Sequence, residues 1–135
     1  FNFGDILRIS VDAKNEICDY ALNFDAVSKQ TKIDKLGNSF LLYGAMYAKG
    51  SSNFAIIKGN NIDVSNIDLS LRRVVPSIGG NYMMIDMGKG TVCDIDYNTL
   101  PDGLAKNTDK TYYVFTETEY YGNLRNVFLY LEEGK

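Results

Sequence analysis

The feature that most limits what this chain can become is apolar–polar alternation at period two, which recurs along almost its whole length. Successive side chains of a β-strand point to opposite faces, so this period marks strands, whereas a helix needs a period near 3.6. In "DILRISVDA", Leu7, Ile9 and Val11 share a face, and Arg8, Ser10 and Asp12 take the solvent face. In "CDYALNFDA", Cys18, Tyr20, Leu22 and Phe24 oppose Asp19, Asn23 and Asp25. A helix over 16–29 also fits Ile17, Tyr20, Ala21, Phe24 and Val27, but strand is the preferred reading. "SFLLYGAMYAKG" is almost continuously apolar from Phe40 to Ala48, as expected of a strand covered on both faces. Its Gly44 suits a bend or a close approach of another backbone. "FAIIKG" and "NYMMIDM" continue the series, and Gly88-Lys89-Gly90 reads as the turn of a hairpin between 82–87 and 91–97. "NIDVSNIDLSL" reads as a bulged strand in which Ile62 and Val64, then Ile67, Leu69 and Leu71, carry the apolar face.

The last such signal joins two alternating runs, "TYYVFTETEYY" and "LRNVFLYLEE", at Gly122-Asn123, which suits a two-residue type II′ connection. That register opposes Thr116 to Leu129 and Val114 to Leu131. One face then holds Val114, Thr116, Val127, Leu129 and Leu131, and the other Phe115, Glu117, Phe128 and Tyr130. With apolar residues on both faces, the hairpin belongs between two layers or at a subunit contact. Short strands, glycine-containing turns and only two prolines predict an all-β fold. The expected form is an antiparallel β-sandwich or barrel of about eight short strands, with at most one short helix, between Ala26 and Leu36. At 135 residues, 1–135 reads as a single β domain large enough to bury a core.

Composition removes several functions. Fourteen basic against 17 acidic residues, a net charge of −3, supply no basic field for a nucleic-acid partner. Arg72-Arg73 reads as a solvated strand end. No apolar run is long enough for a membrane-spanning helix, and no signal-peptide pattern opens the chain. The first residue is Phe rather than Met, as expected of a chain that is processed, trimmed or missing a disordered start. Histidine is absent, which removes His-based acid–base chemistry and nucleophile pairs and the commonest zinc sites. Cys18 and Cys93 lack CxxC spacing; two buried thiols are expected, with one disulfide as the alternative. The glycines of "GGNYMMIDMGKG" do not match a phosphate-cradling loop, and no cofactor is expected.

Asp94, Asp96 and Asn98 have the opening spacing of an EF-hand calcium loop. Counting from Asp94, position six is Thr99 and position twelve Ala105, so the turn glycine and the bidentate glutamate are both missing. A strand with Cys93, Ile95 and Tyr97 inward and its acids in water is the simpler reading, closed by a turn with Pro101 first and Gly103 last. Asp94 with Asp96, or Glu117 with Glu119, would lie roughly 6–7 Å apart on one strand face. That spacing permits a carboxylate-only hydrolase as a minor alternative. Of the ten tyrosines and seven phenylalanines, Tyr112, Tyr113, Phe115, Tyr120, Tyr121, Phe128 and Tyr130 concentrate in the C-terminal hairpin, and the chain has no Trp. Tyrosine suits recognition surfaces, and cross-strand pairing within the sheet accounts for the same pattern.

The expected function is therefore a non-enzymatic structural or interaction module of a larger assembly, of virion-decoration or cell-surface-filament type. Its partner would be another protein or a second copy, and its setting extracellular or on a virion surface. Phe115, Tyr121, Phe128 and Tyr130 are the expected docking anchors, with Glu117, Glu119 and Arg125 as a polar rim. The alternative is a lectin-like domain binding a carbohydrate or small ligand.

Overall fold

The computed structural model describes residues 2–32, 35–36, 39–51, 53–59, 71–106, 110–119 and 123–131. The regular structure among these residues is almost all strand, in ten segments. The segments are β1 (Ile6–Val11), β2 (Ile17–Asp25), β3 (Gln30–Thr31), β4 (Lys35–Leu36), β5 (Ser39–Lys49), β6 (Phe54–Lys58), β7 (Leu71–Asp86), β8 (Thr91–Asp94), β9 (Tyr113–Glu119) and β10 (Asn123–Leu131). The one helical piece among them is a 3-10 turn, Tyr97–Thr99. The bulged strand expected from Ile62 to Leu69 and the turn residue Gly122 lie outside the described residues.

Five strands close on themselves. β5, β6 and β7 form an antiparallel meander, β9 returns to lie beside β5, and β10 pairs with β9 on one side and β7 on the other. The order β9-β5-β6-β7 is a Greek key. β10 shuts the ring through a parallel ladder with β7, the exception among the otherwise antiparallel pairings of the described strands. Closure satisfies both edges of each ring strand, which an open sheet would leave bare. β4 adds to β5 and β8 to β7, and β1-β2-β3 form a separate sheet.

Alternation sorts the side chains into two cores. Inside the ring are Met46, Phe54, Ile56, Val114, Val127 and Leu129, with Leu42, Tyr82 and Met84 packed against them, so every ring strand contributes. Leu100 joins this interior, with Ile95 and Tyr97 against it. On the outer wall, Leu41, Tyr43, Ile85, Phe115 and Tyr130 form a second core with Phe24 and Ala26 of the N-terminal sheet. The C-terminal hairpin thus lies between two layers, as its two apolar faces require. Its register is two residues from the expected one, Val114 opposing Leu129 and Thr116 opposing Val127. An even shift keeps every side chain on its expected face. Asn123 is already in β10, opposite Val75 of β7, so Gly122-Asn123 is not the two-residue connection.

Three further expectations change. Residues 71–86 make one long strand where only 82–87 was expected, with Gly79 and Gly80 inside it. The ladder to β10 skips from Pro76 to Asn81 there, so the glycines occupy an irregular stretch that the partner does not match. No helix follows Ala26 among the described residues: Asp25 Oδ1 accepts the backbone N–H groups of Val27 (2.9 Å) and Ser28 (3.1 Å), folding the chain into a turn that leads to β3. Those N–H groups, Ser28 first, hold the Asp25 carboxyl below its ordinary pKa, as does the charge of Lys32. The turn expected at Pro101 comes later, where Lys106 N–H bonds Gly103 C=O (3.0 Å).

Gly44 meets the close approach its position suggests. A methyl group there would overlap the Ile57 carbonyl, its carbon only 2.7 Å from the carbonyl carbon. Gly103 is pressed likewise against the backbone of Met46 and Tyr47.

Candidate interaction surface

β1 and β2 pair antiparallel, Leu7 opposite Leu22, Ile9 opposite Tyr20 and Val11 opposite Ile17. Directly opposed residues share a face, so Leu7, Ile9, Val11, Ile17, Tyr20 and Leu22 lie on one side of the ribbon. Arg8, Ser10, Asp19 and Ala21 lie on the other, in the pairs Arg8–Ala21 and Ser10–Asp19. The ladder slips by one residue between these pairs and Val11–Ile17, leaving Cys18 as the extra residue of a bulge. At the tip, Asp12 accepts backbone N–H groups from Lys14 (2.8 Å) and Glu16 (3.0 Å), and Asn15 takes the left-handed conformation that closes the turn.

Every residue from Leu7 to Tyr20 is exposed, on both faces. The contacts that fix it to the ring lie at its base. There Phe24, fully buried, stacks on Tyr43 with ring centroids 4.6 Å apart and meets Phe115 at 5.1 Å and Tyr130 at 5.4 Å. Tyr130 donates its hydroxyl proton to Gly4 C=O, and Asp5 Oδ1 accepts the N–H of Ala26 (2.8 Å). Beyond that base the alternation expected to mark a covered face leaves its apolar side in solvent: Leu7 is 38% exposed, Ile9 and Val11 51%, Tyr20 59% and Ile17 62%.

The residues expected to dock elsewhere have other surroundings. Phe115 and Tyr130 are buried, 1% and 3% exposed, because the wall they stand on is covered by this chain's own Phe24. Phe128 is half-buried beside Phe115, ring centroids 6.2 Å apart. Glu117 is half-buried and accepts from Asn126 Nδ2 (3.5 Å), whose Oδ1 accepts from Asn81 (3.2 Å), a polar row across β9, β10 and β7. Tyr121 and the side chains of Glu119 and Arg125 lie outside the described residues.

Asp94, Asp96 and Asn98 are exposed, alternating with half-buried Ile95 and Tyr97. The strand stops at Asp94, however, and the 3-10 turn follows. Cys93 is exposed rather than inward. Tyr97 Oη reaches Gly50 C=O (2.7 Å) and Asn53 C=O (2.9 Å), and burial raises its pKa. Lys49 Nζ donates to Leu100 C=O and to Asn98 C=O (3.3 Å), holding this segment over the ring. Among the described residues no three Asp, Glu or Cys side chains converge as metal ligands. Cys18 and Cys93 are both free and exposed, contrary to the buried pair expected, since one sits on the bare ribbon and the other on the short strand β8.

A shallow cleft of about 210 Å³ lies where β3 meets β5 and β6, lined by Lys29, Gln30, Thr31, Tyr43, Lys58 and Gly59. Lys29 Nζ stands 5.7 Å from the Tyr113 ring centroid, and Tyr113 stacks on Tyr43 at 5.6 Å. No helix among the described residues is long and apolar enough to cross a membrane.

The bare ribbon has a signal in the sequence, since Leu7, Ile9 and Val11 alternate as one apolar face. Alternation does not tell whether such a face is covered within the chain. No family model matches the chain, and no curated protein or solved structure matches it either.

Proposed function

We propose that this chain is a non-enzymatic interaction module of a larger assembly and that its docking surface is the β1–β2 ribbon. One observation carries the reading: a strand pair patterned for burial on one side keeps that side in water from Leu7 to Tyr20. Contiguous exposed apolar surface is costly to solubility and marks contact sites. A two-stranded ribbon is also marginally stable alone, so a partner that covers it stabilises it. The C-terminal hairpin, first expected to dock, supports this role indirectly by building the wall on which the ribbon's base is anchored. A virion surface or a cell-surface filament is the setting we favour, since repeated copies there present repeated contacts.

The test is hydrogen exchange and lysine cross-linking of the chain in its native setting and in isolation. Lys14 at the ribbon tip should cross-link to another polypeptide chain, and the β1–β2 amides should exchange more slowly in the native setting. Equal exchange in both states, with cross-links confined within one chain, would refute the reading.

A second reading is a domain that binds a carbohydrate or small ligand, supported by the cleft with its tyrosine floor and two lysines. A melting temperature raised by glycans carrying carboxylate or sulfate groups, and not by neutral ones, is its expected signature. Lys58→Ala should abolish that rise.

A further inference from the structure

Resting on the assembly reading, we infer that the ribbon's apolar face docks on the same face of a second copy of this chain. The first argument is area. Five large side chains, each about half exposed, present roughly 500 Å² on one copy. Two such faces together remove about 1,000 Å² from water, the lower bound for a specific interface.

The second argument is the placement of charge. Arg8 and Asp19 stand on the reverse face of the ribbon, so along Leu7, Ile9, Val11, Tyr20 and Ile17 no charged side chain faces the apolar side. Like can therefore meet like without burying an unpaired charge, the term that usually forbids self-association through identical surfaces. Asp12, Lys14 and Glu16 alternate in sign and are confined to the tip. A two-fold axis in the plane of contact and perpendicular to the strands sets the ribbons antiparallel, which moves each tip away from its counterpart. The contact is then isologous: each copy uses the same residues, and the interface closes at two copies. Facing ribbons stack as two sheet layers do, about 10 Å apart.

Sedimentation equilibrium across a concentration series tests this, with three variants of one ribbon. The wild-type chain should approach twice its 15.1 kDa monomer mass. Ile9→Lys and Ile17→Lys place charge on the apolar face at positions already in solvent, so folding is unaffected, as a circular dichroism spectrum will verify. Each alters both copies and should weaken dimerisation at least 100-fold. Ser10→Lys, one residue along the same strand but on the reverse face, should leave the dissociation constant within threefold. A wild-type chain monomeric at millimolar concentration overturns the inference, and so does a dimer that Ile9→Lys leaves intact or that Ser10→Lys breaks. The assembly reading fails separately, when the ribbon amides exchange equally in the native setting and in isolation. A monomeric chain whose ribbon is protected in its native setting therefore sinks the second copy and keeps the module.

Discussion

Phe24→Ala tests how the N-terminal sheet is held to the ring. Phe24 is fully buried and touches three aromatic rings, Tyr43, Phe115 and Tyr130, all within 5.4 Å between centroids. Truncating a buried Phe costs about 3–5 kcal/mol through lost transfer energy and the cavity left behind. The three ring contacts add about 0.5–1.5 kcal/mol each where their geometry is favourable. The chain has two responses: keep the layer in place over a cavity, or release the layer and expose the wall. The cheaper one sets the measured cost, so about 4 kcal/mol is the expected loss in urea unfolding. At about 3 °C per kcal/mol for a domain of this size, the melting temperature should fall by roughly 12 °C. Hydrogen exchange distinguishes the two responses. Release of the layer speeds exchange in β1 and β2 while β5, β9 and β10 stay protected, as expected of a locally unfolding unit. A variant within about 1 kcal/mol of the parent whose β1–β2 amides are unchanged would show that Phe24 does not hold the layer.

Other perturbations have comparably definite outcomes. Gly44→Ala forces a methyl group against the Ile57 carbonyl, where backbone rather than a flexible side chain must yield. It should cost about 3 kcal/mol or more in chemical denaturation and loosen the β5–β6 amides. Tyr97→Phe removes the hydroxyl that reaches Gly50 and Asn53 C=O. About 1 kcal/mol of stability should be lost, with little change in the m-value. Burial raises the pKa of both Tyr82 and Tyr97, with the neighbouring Tyr97 adding to the shift of Tyr82. The folded chain therefore keeps phenolic protons that the unfolded chain releases near pH 10. Stability should be insensitive to these groups below that value and decline as pH rises through the raised ones, less steeply in Tyr97→Phe; ultraviolet titration against a melting series checks both.

How much was legible follows from the range of the interaction concerned. The strand pattern and the two faces of the C-terminal hairpin are local consequences of side-chain order, and both could be read directly. Even a two-residue error in register left Val114 and Leu129 inward and Phe115 and Tyr130 outward, because the period of a strand is two. The turn at Gly88 to Gly90 and the tight site at Gly44 were readable for the same reason, since glycine answers a local steric demand. The docking surface was not, because alternation says that a face is apolar and not what covers it. Phe115 and Leu7 carry the same signal in sequence, yet one is sealed by Phe24 and the other meets solvent.

Side-chain order by itself determined that this chain builds sheets, that Gly44 suits a close backbone approach, and that histidine chemistry is absent. Tertiary structure alone decided that β10 closes a ring by a parallel contact with β7, that the N-terminal strands stand on the outer wall, and that their apolar face is left open. The physical reason is that pairing partners and coverage depend on contacts between segments far apart in the chain. Their free energy comes from packing and from loop closure, and no short window of residues encodes either.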